Sequence, residues 1–208
     1  MSTRTTGRIV GALFLSAFAL YGGGSAFAGS AVGATLLLLN SAAVITLGAL
    51  VFRVVRTRRP GTAGTYLAAR TVEAVLLALA PLGTLTGREL VTGDHAASAY
   101  WLAMAALGVG SIALCRALLT SGLLLPRLLA GWGVIGYASL ALGSALELAG
   151  HQVGLLLSAP GGLFEVAAGV FLLRNGFRTS DAQGRGDGEG PVQGELDRAS
   201  TVRSGGRI

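Results

Sequence analysis

The chain has 208 residues, 52% of them hydrophobic and 12% charged, the latter about half the roughly 25% typical of soluble domains. Its 16 basic residues are all Arg, its formal net charge is +6, and its one cysteine is Cys115. These values exclude an ordinary soluble domain, a disordered chain and a disulfide scaffold, and they leave too few charges on too much apolar sequence for a nucleic-acid binder.

A hydrocarbon core about 30 Å thick needs roughly 20 apolar residues of helix. Six stretches reach that length: Ile9–Phe27, Val32–Val54, Tyr66–Leu85, Ala97–Leu119, Leu129–Ala149 and Val153–Leu173. Backbone groups in lipid must satisfy one another, so each stretch is expected to be helical. Runs such as Leu36–Leu39 lack the alternation of barrel strands.

The first segment follows Arg4 and Arg8 and ends near Ala26-Phe27-Ala28, a pattern shared with cleavable signal peptides. Its length suits a spanning helix, which is the reading adopted. The second carries Asn40 near its middle and exits into Arg53, Arg56, Arg58 and Arg59. The third holds Arg70, Glu73 and Pro81. The fourth aligns Gly108, Ser111 and Cys115 on one face; the fifth does the same with Gly136, Ser139, Gly143 and Glu147. In the sixth, Ser158, Gly162, Glu165 and Gly169 share a face, and Pro160 interrupts the helix just before the acid. Small residues at this spacing predict close helix contacts. Residues 1–177 thus read as an all-α polytopic bundle of six transmembrane helices. Residues 178–208 are rich in Gly and carry five Arg against five acids, which predicts a disordered tail.

Arg placement sets the orientation. The N-terminus, the second and fourth connections and the exit of the last helix hold most of the Arg, whereas the other connections hold only Arg88, beside Glu89 and Asp94. Six crossings place all the basic ends on one face, together with both termini. The positive-inside rule assigns that face to the cytoplasm. Arg53–Arg59 is also suited to contact with anionic lipid. Trp101 and Trp132 fall near the expected surfaces, where Trp serves as an anchor.

Several motifs resemble a known family. Arg8–Leu15 (RIVGALFL), Tyr66–Leu77 (YLAARTVEAVLL), Gly131–Tyr137 (GWGVIGY) and Pro160–Phe177 (PGGLFEVAAGVFLLRNGF) are similar to the bacterial membrane family known as domain of unknown function 4386. The resemblance covers roughly residues 7–178. It implies a multi-helix protein of the bacterial inner membrane and supplies no activity, substrate or cofactor.

Function therefore rests on the charges inside the spans. Arg70 and Glu73 are three residues apart, so they share a helix face and can pair. Depth counts put Arg70 about 6 Å, Glu73 about 10 Å and Glu165 about 12 Å from the basic end of their segments. An Arg fork can serve two carboxylates, which predicts a buried Glu73–Arg70–Glu165 cluster of formal charge −1. Low dielectric favours a proton on such a cluster, and proton coupling would reside there. Asn40 needs a hydrogen-bond partner and is expected to face the same interior, with Glu147 at the opposite rim.

Catalytic and metal signatures (HExxH, CxxC, a P-loop, GxSxG) are absent. No cofactor is called for, and His95 and His151 read as solvated loop residues. The bilayer is the expected partner; a homo-oligomer or a partner membrane protein stays open. Three function classes remain. A small-solute or proton-coupled transporter would use Arg70, Glu73 and Glu165 at its centre. A structural, accessory or regulatory subunit would use them for packing. A membrane enzyme fits least. A cavity reaching Glu165 from one surface would favour transport, and a sealed bundle the accessory role.

Overall fold

The computed structural model describes residues 2–88, 90–121 and 125–177. Within them lie α1 (Thr3–Ala26), α2 (Ala31–Val55), α3 (Pro60–Thr86), α4 (Gly93–Ser121), α5 (Arg127–Leu148) and α6 (Gly154–Asn175), with no strand among the described residues. All six helices are long and apolar enough to cross a membrane. The expected tail lies outside the described residues.

Several helices outrun their apolar segments. Helix α1 starts six residues early, and α3 does the same at Pro60, which occupies the first turn. Hydropathy locates the stretch that suits lipid, but helical hydrogen bonding continues until something stops it. Proline is favoured at the first helical position because its missing N–H has no partner to lose there. Gly87 ends α3 with φ 65°, a left-handed conformation that glycine adopts without strain. Ser30 starts α2, its hydroxyl accepting from the Gly33 N–H at 3.0 Å.

Short connections make successive helices antiparallel. Each helix packs on its sequence neighbours, and α6 returns to α1, so among the described residues the backbones form a closed ring in which non-neighbours meet only through side chains. In this order α3 faces α6 across the ring, and α1 faces α4. The basic ends converge on one face, as the Arg pattern predicts. There Arg8 donates to the Arg174 carbonyl at 3.5 Å, and Arg59 to the Thr120 hydroxyl at 3.3 Å.

The predicted small-residue faces are helix seams. A Cβ at Gly136 would lie 2.9 Å from the Pro160 carbonyl oxygen and 3.0 Å from Gly161 Cα. Ser139 donates to the Leu157 carbonyl at 2.7 Å, and Gly143 abuts Gly154 and Leu157. The α5 stripe is therefore the contact with α6. Its serine also supplies a donor to a carbonyl in the turn that Pro160 disturbs, which is how proline is tolerated in a spanning helix.

Large apolar side chains lie on the outside as well as the inside. Leu128 is 88% exposed and Leu155 79%. Such a surface suits lipid rather than water. Trp132 lies on it, whereas Trp101 is half-buried against the start of α6.

Candidate functional site

Near the basic face the ring is filled. Val10, Val51, Leu114, Cys115, Phe164, Leu172 and Phe177 are buried there with Tyr66, around a void of only about 40 Å³. Towards the opposite face the interior opens into a cavity of about 300 Å³ lined from all six helices. It extends from the helix centres to Gly22, four residues before the end of α1, and to Ser158, four residues into α6. Near its mouth Tyr21 of α1 and Tyr100 of α4 stack across the ring, centroids 5.9 Å apart and planes at 25°.

The floor of the cavity is ionic. Tyr66, Arg70 and Glu73 line one face of α3, where spacings of three and four bring side chains together. Arg70 Nε donates to the Tyr66 hydroxyl at 2.9 Å, and Nη1 donates to Glu73 Oε2 at 3.0 Å and Oε1 at 3.3 Å. Nη2 reaches across the ring to Glu165 Oε1 of α6 at 3.2 Å. The same oxygen accepts from the Tyr137 hydroxyl of α5 at 2.7 Å. Phe14 of α1 packs on the guanidinium, its centroid 5.6 Å away, opposite α4 in the ring. Gly48 of α2 leaves room for the Arg70 stem, since a Cβ there would lie 2.8 Å from Arg70 Cβ.

The structure thus joins Arg70, Glu73 and Glu165, the three residues that spacing and depth single out. Glu73 is the midpoint of α3 and Glu165 falls at the centre of α6, so the two carboxylates share one level along their helices. Arg70 and Glu73 are each 3% exposed, and the Glu165 side chain keeps 14%.

Asn40 lines the same cavity at 3% exposure, but its Oδ1 has no hydrogen-bond partner among the described residues. Glu147 stands apart from the cluster. It accepts from the Gly154 N–H at 2.8 Å and so caps the start of α6 across the α5–α6 turn. A carboxylate suits a helix N-terminus, where N–H groups lack internal partners. Glu147→Ala should lower stability by about 0.5–2 kcal/mol, read as a fall in Tm, with ligand responses of the central cavity unchanged.

Two participants escaped sequence reasoning. Tyr66 lies four residues before Arg70, a signal that was available but looked like ordinary apolar helix. Tyr137 is 28 residues from Glu165 and becomes its neighbour only because α5 and α6 form a hairpin meeting at their centres. Among the described residues no three His, Cys, Asp or Glu side chains gather into a metal-sized group.

Fold and site together define a multi-pass membrane protein built as a six-helix ring, with an ionic cross-brace beneath a central cavity. The chain belongs to the family described as Domain of unknown function (DUF4386), which it matches over residues 29–176. The match is narrower than the resemblance suggested, since α1 and its Arg8–Leu15 motif lie outside it. Comparison with curated proteins and with solved structures gave no match.

Proposed function

We propose that the chain is a small-solute carrier of a bacterial inner membrane, with its basic face and both termini in the cytoplasm. The observation that carries this reading is the asymmetric interior. A cavity leads from the non-basic half down to Glu165 and Arg70 at the helix centres, while the basic half is packed with apolar side chains. Carriers place substrate sites near the bilayer midplane and expose them to one side at a time. The Arg70–Glu165 link crosses the ring between α3 and α6, so passage of a solute requires that brace to break. The Arg-rich connections support the cytoplasmic side for the basic face.

A structural or accessory role is favoured by one feature, the cross-ring brace, which a bundle without transport could use to fix its helix order. The two readings part in a thermal-shift screen of small solutes on purified protein, repeated with Glu165→Gln. A carrier gives compounds that raise the Tm of the wild type only, and these then accumulate in proteoliposomes. A well-folded wild type that moves none of them across the bilayer is an accessory subunit.

A further inference from the structure

The chemistry of the cavity narrows the solute. Resting on the carrier reading, we infer that the cavity takes an ammonium-bearing small molecule with an apolar body, and that its ammonium competes with Arg70 for Glu165.

Charge is the first argument. The charged side chains lining the cavity are Arg70, Glu73 and Glu165, one cation against two carboxylates. A cationic ligand neutralises that imbalance in a region where net charge is costly. An anionic ligand adds to it, and it would compete with Tyr66, Glu73 and Glu165, to which the three Arg70 nitrogens already donate.

The open acceptors are the second argument. Asn40 Oδ1 is buried without a donor, and an unmade bond of this kind is costly unless a ligand supplies the hydrogen. Glu165 takes both of its bonds on Oε1 and keeps the most exposure in the cluster, while Glu73 is held through both oxygens by Arg70. Glu165 is therefore the carboxylate within reach. Asn40 is three residues from the centre of α2 towards the cavity mouth, about 4–5 Å above the cluster level. A primary ammonium, with three N–H donors, can serve acceptors at both levels.

The walls supply the third argument. Leu13, Phe14, Phe18, Val44, Met104 and Leu140 present apolar and aromatic surface to the occupant, and aromatic faces attract cations. The volume stands at the low end of small-molecule sites, which run from about 300 to 1,000 Å³. The ligand is accordingly compact. Its binding to Glu165 would release the α3–α6 brace, coupling occupancy to the link that blocks passage.

The test uses full-length protein in detergent and three probes of one shape: phenethylammonium, 2-phenylethanol and 3-phenylpropionate. Titration calorimetry, supported by thermal shift, should find binding of phenethylammonium and none of the other two at the same concentrations. Asn40→Leu and Glu165→Gln should each weaken that binding about tenfold or more, the range of a buried bond to a charged group. Leu156→Ala, on the exposed surface, should leave it unchanged. Should Glu165→Gln fail to fold, Asn40→Leu, which breaks no ion pair, decides the matter. Equal binding of the alcohol, or preference for the carboxylate, overturns the ammonium class and leaves the carrier reading intact. Silence from all three probes overturns the cavity as an ammonium site. Ammonium binding without flux in proteoliposomes removes the carrier reading and leaves the ligand class standing.

Discussion

Arg70→Leu is expected to cost the bundle about 3–5 kcal/mol, the penalty for leaving buried charge without its partner. The change removes the only cation from a site holding Glu73 and Glu165, at the centre of the ring. It also strips the Tyr66 hydroxyl of its donor and the Phe14 ring of the guanidinium packed on it. The loss should appear as a large fall in Tm and a shift toward aggregates in size-exclusion chromatography. The triple variant Arg70→Leu, Glu73→Gln, Glu165→Gln should recover much of that stability, because it removes both unpaired charges along with the cation. Replacing a whole buried ion group by neutral residues is often neutral or stabilising, whereas removing one member is not. If the single variant were as stable as the wild type, the cluster would not be a closed, desolvated unit. If the triple variant recovered stability but lost ligand response, the cluster would serve function at some expense of folding.

The second large effect concerns ring closure. A Cβ at Gly11 would lie 2.5 Å from the Leu173 nitrogen, 2.6 Å from the Gly169 carbonyl oxygen and 3.0 Å from the Leu172 carbonyl carbon. All three are α6 backbone atoms, so no side-chain rotation can relieve the contact. Gly11→Leu should force α1 away from α6 at a cost of about 1–3 kcal/mol or more, the usual range for overpacking. Since α1 also carries Phe14, Phe18 and Tyr21 into the cavity, ligand response should fall with it. Gly22→Ala is the control. A Cβ there meets nothing within 4 Å, and the variant should be no less stable than the wild type by Tm.

Much of the architecture is legible in the sequence because lipid imposes a simple rule. A spanning helix must be long and apolar, and six such runs stand between short breaks. The Arg pattern then places their ends, and its geometric half is visible in the Arg8–Arg174 and Arg59–Thr120 contacts on one face. The pairing of Arg70 with Glu73 follows from helical spacing alone. Glu165 follows from depth, since few partners exist for a charge at that level.

The helix ends are less legible. Hydropathy reports where lipid suits the chain, and the hydrogen-bonded helix continues into Pro60-Gly61-Thr62 and Thr3-Arg4-Thr5. Glu147 shows another limit. On a helical wheel it belongs to the polar face of α5, but only the turn that returns the chain at His151 brings the Gly154 N–H onto its carboxylate.

The sequence by itself determined the class of protein, the number of spans, the shared face of the basic ends and the three charges that must meet. These depend on local composition and on period, which are readable along one chain. Only the tertiary structure decided that the helices close into a ring, that Arg70 spans it from α3 to α6, and that one half is filled while the other holds a cavity. These depend on which backbones approach closely, as at Gly11, Gly48 and Gly136. Approach is a property of pairs of helices rather than of one segment, and the same small residues would permit several pairings. The unpartnered oxygen of Asn40 belongs to that second group: a polar residue in a span must face inward, but whether a neighbour satisfies it is settled by the packing.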